Sequence, residues 1–106
     1  MHLGEFEQLV LLALVRLGED GYGVSVQREI AQRTRRSPSF GTVYSTLARL
    51  EEKGLIESRI GEATAERGGR RKKYYSIRPA GQRAVRQSLQ AIHRMACGLD
   101  ISWEAR

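Results

Sequence analysis

The densest run of charge in the chain lies beside residues that favour a β-strand. Residues 68–81 read GGRRKKYYSIRPAG, in which four consecutive cations, Arg70, Arg71, Lys72 and Lys73, precede two tyrosines. Lysine and arginine clustered on one surface neutralise phosphates, and this contact supplies much of the affinity of nucleic-acid-binding proteins. A charged edge strand that only prevents aggregation is the alternative, but four cations in a row exceed that need. The pattern therefore favours a surface for a polyanion.

The positive charge of the whole chain is concentrated in the same region. The net charge is +6 over 106 residues. Residues 1–40 hold five basic and five acidic side chains, whereas residues 59–86 hold nine basic and two acidic ones. A soluble surface without a polyanionic partner would intersperse the two signs, so the clustering indicates a nucleic-acid footprint. The acidic residues Glu62 and Glu66 indicate that the tip of this region does not contact the nucleic acid. The cations at its base are therefore expected to make the contacts.

A second group of polar residues follows the Ser-Pro-Ser break at residues 37–39. Apolar spacing predicts a helix over about residues 39–53, with Phe40, Val43, Tyr44, Leu47 and Leu50 turned inward. The outward face then carries Thr42, Ser45, Thr46, Arg49 and Lys53. Small hydroxyls near a helix N-terminus can contact phosphates and base edges in the major groove. Taken alone, the outward face of this helix is better explained as ordinary solvated surface. The DNA-binding interpretation is favoured only when the cationic segment is considered with it.

Other residues that could do chemistry are sparse. His93 and Cys97 lie four positions apart on one helical face, but two ligands per chain are a weak signal for zinc. A single cysteine in a helix usually acts as a small buried hydrophobe. Glu5 and Glu7 are expected to be solvated rather than to form an acid–base pair. The sequence has no phosphate-binding glycine loop and no nucleophile–base set, so we predict neither an enzyme nor a bound metal or cofactor.

The periodicity of the chain gives the order of the elements that must position these residues. Helices are predicted over about residues 4–17 and 22–34, before the helix already described. Residues 55–60 and 71–77 have the pattern of two strands joined by a polar loop that contains glycine. A long final helix is predicted over about residues 79–100, with Pro79 in its first turn.

Three helices followed by a hairpin predict an α+β, mostly α fold. Residues 1–78 are expected to form a winged helix-turn-helix, with the third helix as recognition helix and the two-stranded hairpin as wing. Residues 79–106 are expected to form one long C-terminal dimerisation helix and a tail. Tyr75 and Ile77 fall on one face of the second strand and are predicted to fix the wing to the helical body.

The final helix carries an apolar seam. Val85, Leu89, Ile92, Ala96 and Leu99 recur at spacings of four, three, four and three, over about two heptads. A second copy of the chain or the first helix of the same chain would cover this seam. Both can hold, because the first helix has two apolar faces, with Leu9 on one and Leu12 on the other. Trp103 either lines a ligand pocket or, as such residues do more often, anchors the end of the chain.

Hydropathy and cysteine usage predict a cytoplasmic protein. The sequence contains no apolar run of about 18 residues that would cross a membrane. The N-terminus is apolar like a signal peptide, but Glu5 and Glu7 stand where positive charge belongs. One cysteine cannot form an internal disulfide, which fits a reducing compartment. A membrane-surface role is disfavoured because the cations lie mainly on a hairpin rather than on an amphipathic helix.

Three segments together resemble the PadR-like family of transcriptional regulators. They are LGEFEQLVLLALVRLG followed by GYGVSVQREI, then GTVYSTLARLEEKGLI at residues 41–56, then GGRRKKYYSIRPAG. Each segment is a weak signal alone, but their order and spacing are specific and cover nearly the whole chain. The resemblance implies a winged-helix repressor that dimerises through its N- and C-terminal helices and binds a palindromic operator, often near its own gene.

The resemblance also bears on individual residues. Gly41, Thr42 and Tyr44 match the family's Gly-Thr-x-Tyr signature, in which the tyrosine is expected at the DNA backbone. The predicted contacts to double-stranded DNA are therefore Ser39, Gly41, Thr42, Tyr44, Ser45, Arg49, Arg70, Arg71, Lys72 and Lys73. One departure is Arg78, which stands before Pro79 where the family usually has Thr or Ser. The predicted dimer interface comprises Leu9, Leu12, Val85, Leu89, Ile92, Ala96 and Leu99.

Some questions stay open at the level of sequence. The chain resembles the short-tailed branch of the family, so an effector, if one exists, would be a small aromatic or drug-like molecule at the dimer interface. The operator, and the choice between repressor and activator, are not encoded in any motif. A different class of function also remains: a winged-helix module whose basic hairpin docks on an acidic protein.

Overall fold

The computed structural model describes residues 2–61 and 72–101. Its elements are α1 (Glu5–Leu17), a 3₁₀ turn (Gly18–Asp20), α2 (Gly23–Thr34), α3 (Phe40–Glu52), β1 (Ile56–Ile60), β2 (Lys73–Ile77) and α4 (Pro79–Ala96). Three helices followed by an antiparallel hairpin form a winged helix-turn-helix, with α4 appended. The predicted mostly helical α+β class is confirmed.

The first helix is the centre of the core because its apolar residues cover two faces. Val10, Leu11 and Leu14 are almost completely buried, and α1 contacts α2, α3, α4 and β2. The remaining elements contribute Val26, Ile30, Val43, Leu47, Leu50, Leu55, Ile56, Tyr75 and Val85. Burial of each large apolar side chain contributes about 1.5–3 kcal/mol to folding, so α3 is held mainly by this shared core.

The third helix differs in detail from its predicted orientation. Val43, Leu47 and Leu50 are buried as expected. Phe40 and Tyr44 were expected to face inward but are 49% and 47% exposed, whereas Thr46, expected outside, is 1% exposed. Those expectations were wrong because hydropathy alone assigns an aromatic residue to the core and a threonine to the surface. The buried stripe instead follows residues 43, 46, 47 and 50, which leaves residues 40 and 44 at its margin.

The wing is an antiparallel hairpin fixed to the helical body through the predicted face. Ile56 pairs with Ile77, and Ser58 pairs with Tyr75. Tyr75 is buried and Ile77 is partly buried against the core. Burial raises the pKa of the Tyr75 phenol, with Lys73 opposing the shift, so its hydroxyl stays neutral at ordinary pH.

The sheet is extended by a segment that the sequence did not predict. The Tyr75 amide donates a hydrogen bond to the Gly21 carbonyl at 2.7 Å. Tyr22 forms an isolated antiparallel bridge with Tyr74. The residues that lead into α2 therefore pair with the outer side of β2, which ties the wing to the start of α2 as well as to the core.

Two predicted boundaries shift. The second strand begins at Lys73 rather than at residue 71. The last helix begins at Pro79 as predicted but ends at Ala96, four residues before the predicted end. Gly98 has a φ of 85°, a left-handed conformation that ends a helix and that glycine adopts readily. Leu99 therefore lies beyond the helix, and the predicted seam loses its last position.

Candidate nucleic-acid interface

All the predicted contact residues of α3 except Arg49 lie exposed at its N-terminal end. Ser39 is the N-cap, and its Oγ accepts a hydrogen bond from the Thr42 amide at 3.1 Å. Ser45 Oγ donates to the Thr42 carbonyl at 3.1 Å, and Gly41 is exposed beside them. These bonds leave hydrogen-bonding capacity on each hydroxyl. The uncapped amides of the first turn add the partial positive charge of the helix N-terminus.

Tyr44 joins α3 to the start of α2. Its ring lies so close to Gly23 that a β-carbon on the glycine would come within 2.3 Å of both Cζ and Oη. The residue is nevertheless 47% exposed. Tyr44 therefore packs on the start of α2 rather than in the core, and only glycine at position 23 permits this contact.

The base of the wing is a cluster of aromatic rings and cations. The rings of Tyr22 and Tyr74 meet edge to face, with centroids 5.4 Å apart. Lys72 Nζ lies 4.3 Å from the centroid of the Tyr22 ring, and Arg59 Cζ lies 4.7 Å from that of Tyr74. Cation–π contacts orient a cation without cancelling its charge, so Lys72 keeps its attraction for an anion. Arg59 Nη2 also lies 3.9 Å from Glu19 Oε1, so part of its charge is already balanced.

The α3 residues and the wing cations meet at the start of α2. Tyr44 covers Gly23, and the preceding residue, Tyr22, carries Lys72 over its ring. A second cation reaches α3 directly, because Lys73 Nζ lies 3.7 Å from Glu51 Oε1. We call the surface formed by Thr42, Tyr44, Ser45 and Lys72 the α3–wing surface.

Two of the predicted contacts are not described, and Arg78 does not cap the last helix. Arg70 and Arg71, with the loop acids Glu62 and Glu66, fall outside the described residues. Arg78 makes no side-chain cap for α4. Its Nε lies 3.9 Å from Glu57 Oε1, and its side chain is about half-exposed.

A carboxylate that the sequence assigns to solvent is buried between α1 and α3. Glu7 is 6% exposed. Its Oε2 accepts hydrogen bonds from Lys53 Nζ at 2.7 Å and from Arg49 Nε at 3.2 Å. Its Oε1 accepts one from the Gly4 amide at 2.9 Å. The expectation of a solvated Glu7 was wrong, and the available signal was its position in the first turn, where a carboxylate caps the preceding amide.

The charges around Glu7 are not balanced one to one. Burial works to raise the pKa of Glu7, but the Lys53 ammonium, the Gly4 amide and the Arg49 guanidinium together outweigh it, so the pKa is lowered. Two cations therefore share one carboxylate. Arg49, a predicted DNA contact, also donates from Nη2 to Thr46 Oγ1 at 3.4 Å, while its side chain stays 51% exposed.

The predicted interface residues differ widely in exposure. Leu89 and Ile92 on α4 are 41% and 56% exposed, and the neighbouring Met95 is 79% exposed. Val85 is only 5% exposed because it packs in the core of its own chain. Leu9, Leu12 and Ala96 are half-buried, and Leu99 is exposed beyond the helix. Between α1 and α4 lies an open groove of about 550 Å³ lined by Leu12, Val15, Gln82, Val85, Arg86, Leu89, Gln90 and His93.

The remaining candidate sites carry little chemistry. Cys97 is exposed rather than buried as expected. Among residues 2–61 and 72–101, no group of three or more His, Cys, Asp or Glu side chains could hold a metal ion. The same part of the chain contains no helix long and apolar enough to span a membrane. Trp103 lies outside the described residues.

A capped helix with exposed hydroxyls beside a cationic two-stranded wing defines a winged helix-turn-helix protein of the DNA-binding class. The family model of the transcriptional regulator PadR-like family matches residues 11–87 of this chain. This chain belongs to that family.

Individual proteins are similar to this chain over much of its length. An uncharacterised protein from Lysinibacillus sphaericus is 37% identical over 75 residues, which are 69% of this chain and 65% of that protein. The match thus spans slightly less than two thirds of that relative's length. A transcriptional regulator from Clostridium thermocellum superposes with a TM-score of 0.71 at 29% identity, over 85% of this chain and 84% of that one. A PadR family transcription regulator from Clostridium difficile R20291 superposes with a TM-score of 0.69 at 25% identity, over 88% and 95%.

Proposed function

We propose that this protein is a homodimeric transcriptional repressor that binds a palindromic operator through the α3–wing surface of each copy. The observation that carries the proposal is the chain of contacts from Tyr44 through Gly23 and Tyr22 to Lys72. It joins the exposed hydroxyls of α3 to a wing cation, so that one DNA segment can meet both. The hydroxyls would choose the sequence, and the cations would neutralise phosphates.

The exposed side of α4 supports the homodimer. Leu89, Ile92 and Met95 are all more than two fifths exposed, and contiguous apolar surface on a small protein usually marks an interface. A two-fold symmetric dimer would hold two recognition helices about one helical turn of DNA apart. Half-sites would then be centred roughly 10 bp apart, and the operator would mirror the symmetry of the protein.

Release by an effector fits the same arrangement. The α1–α4 groove, at about 550 Å³, has the size of ordinary small-molecule sites. It adjoins the apolar face that a second copy would cover. A small aromatic or drug-like molecule in this groove would therefore alter how the two copies meet, and with it the spacing of the two recognition helices.

The proposal is tested by in vitro selection of duplexes from a random-sequence library, followed by fluorescence anisotropy. We expect an enriched palindrome whose duplex binds about 10³-fold or more tightly than a scrambled duplex. Affinity should fall steeply between about 50 and about 200 mM salt. The absence of an enriched palindrome, with equal and weak binding to both duplexes, would contradict an operator-binding role. The basic hairpin would then be better explained as a docking surface for an acidic protein.

A further inference from the structure

The side chain of Arg49 is half-exposed, yet one edge of its guanidinium is hydrogen-bonded to buried residues. Nε donates to Glu7 Oε2 at 3.2 Å, and Nη2 donates to Thr46 Oγ1 at 3.4 Å. Both acceptors belong to buried residues, with Glu7 6% and Thr46 1% exposed. A guanidinium carries five N–H donors. Two are engaged by residues that the structure describes, so within residues 2–61 and 72–101 the Nη1 pair and one Nη2 hydrogen remain for a partner on the exposed side.

The neutralisation of Glu7 does not require Arg49. Lys53 makes the shorter contact, 2.7 Å from Oε2, and the Gly4 amide occupies Oε1 at 2.9 Å. One ammonium suffices to balance one carboxylate, and the amide completes its hydrogen bonds. Within the described part of the chain, the second cation therefore adds a positive charge at the surface of α3 that Glu7 does not need for its own neutralisation.

We propose that Glu7 is a positioning residue for DNA recognition, which holds Arg49 so that its free edge meets the operator. This inference rests on the proposed function. An unrestrained arginine loses rotamer freedom when it binds, whereas one already held loses less. A fixed guanidinium edge also presents parallel N–H groups, which match the two acceptors of a guanine edge or of a phosphate.

The Glu7→Gln variant separates positioning from simple electrostatics because the two predict opposite signs. Loss of a negative charge near DNA should tighten binding to every duplex. Loss of the grip on Arg49 should instead weaken binding to the selected operator about 10-fold, with much less change for the scrambled duplex. Glu5→Gln is the matched control, since it removes the same charge from α1, and Glu5 pairs with Arg36, at 3.0 Å, rather than with α3.

A double-mutant cycle shows whether the effect passes through Arg49. In an Arg49→Ala background, Glu7→Gln should cause no further loss of operator affinity. Circular dichroism and thermal unfolding should accompany each measurement. If Glu7→Gln proves too unstable to assay, Arg49→Lys provides the test. Lysine keeps the positive charge but lacks the planar guanidinium with its parallel N–H donors. This variant should weaken operator binding by a similar factor, and unchanged affinity would overturn the inference.

The outcomes distinguish this inference from the proposed function. A wild-type protein that does not discriminate the selected duplex from the scrambled one contradicts the operator-binding role itself. A discriminating wild type with Glu7→Gln binding as tightly as Glu5→Gln overturns only the positioning role. An equal loss from Glu7→Gln with and without Arg49 also overturns it, because Glu7 would then act through the packing of α3.

Discussion

At the residue scale, the α3–wing surface combines groups that would contact DNA in different ways under the proposed function. The hydroxyl of Ser45 is short and directional, and its bond to the Thr42 carbonyl limits the orientations it can adopt. The Lys72 ammonium sits on a long side chain against the Tyr22 ring and acts over a Debye length of about 10 Å. The first kind of group distinguishes base edges, whereas the second attracts any phosphate backbone.

This difference predicts a division of labour between the two residues. Ser45→Ala should change the sequence preference obtained by selection, by about 1–3 kcal/mol at the affected base pair. Lys72→Ala should weaken binding to all duplexes nearly equally and reduce the slope of log affinity against log salt by about 0.9. Anisotropy titrations on the selected and scrambled duplexes measure both effects. Identical behaviour of the two variants would refute the division.

Glu7 predicts an acid-sensitive contribution to stability. Its pKa is lowered because Lys53, Gly4 and Arg49 together outweigh the opposing effect of burial. A carboxylate that is more acidic when folded contributes fully above its unfolded pKa of about 4.3, and the contribution is lost as the pH falls through the folded value. At neutral pH, Glu7→Gln should cost about 1–3 kcal/mol of unfolding free energy. Melting temperatures from about pH 7 to about pH 3 should fall less steeply for Glu7→Gln than for the wild type.

The control for this pH dependence is again Glu5→Gln. The hydrogen bond from Arg36 lowers the pKa of Glu5, and their Coulomb attraction adds to it. That pair is exposed, however, and exposed ion pairs contribute little to stability. The pH profile of Glu5→Gln should therefore follow the wild type closely. If the pH profiles of the wild type and Glu7→Gln coincide, protonation of the Glu7 carboxylate is not coupled to folding.

The sequence predicted the apolar half of this site better than its polar half. Val43, Leu47 and Leu50 follow from helical spacing, because hydropathy and periodicity agree there. The burial of Glu7 could not be derived in this way. Its partners Arg49 and Lys53 are 42 and 46 positions away along the chain, and only the packing of α1 against α3 brings them together.

At the scale of elements, the connection between β2 and α4 packs against the backbone of Leu55. The Arg78 amide donates to the Leu55 carbonyl at 2.9 Å. Within the first turn of α4, Gly81 packs on the same carbonyl, and a β-carbon at Gly81 would be 2.3 Å from its oxygen. Because backbone cannot swing aside as a side chain can, this contact fixes the direction in which α4 leaves the wing.

The contact predicts opposite effects for two glycine substitutions. Gly81→Ala should lower the unfolding free energy by about 1–3 kcal/mol through steric overlap, although alanine is the better helix former. Gly41→Ala is the matched control, because Gly41 is also helical but its nearest neighbour, Ser39 Oγ, would lie 3.9 Å from the new carbon. That variant should be neutral or more stable by up to about 1 kcal/mol. Urea unfolding of both proteins measures the contrast, and equal changes would rule out the proposed clash.

Element types and order were predictable, whereas contacts between elements were not. Helical and strand periods are local, so all four helices and the hairpin follow from the sequence. The pairing of Gly21 with Tyr75 has no local signal, because it depends on how α2 packs beside the wing. The end of α4 was predicted too late because the apolar spacing continues to Leu99, while Gly98 already interrupts the helix.

At the scale of the whole molecule, the chain is more extended than a globule of its length. Its Cα radius of gyration is 15.5 Å, whereas a compact chain of this size has about 13 Å. In the second half of α4, residues from Leu89 onward are largely exposed. In a single copy, α4 therefore exposes an apolar side to solvent, and in the proposed homodimer a second copy would bury it.

We expect Ile92→Glu to convert the homodimer into monomers without unfolding the domain. Ile92 is 56% exposed, so the substitution removes no core packing, but it would bury an unpaired carboxylate at the proposed interface, which is strongly unfavourable.

Gln87→Glu is the matched control, because it adds the same charge to α4 about 140° further round the helix. Sedimentation velocity over a range of concentrations should show a dimer for the wild type and for Gln87→Glu, and a monomer for Ile92→Glu. The monomer should also lose most of its operator affinity, since each half-site alone contributes only part of the binding free energy. A dimeric Ile92→Glu would exclude this face of α4 as the interface, and a monomeric wild type would contradict the homodimer itself.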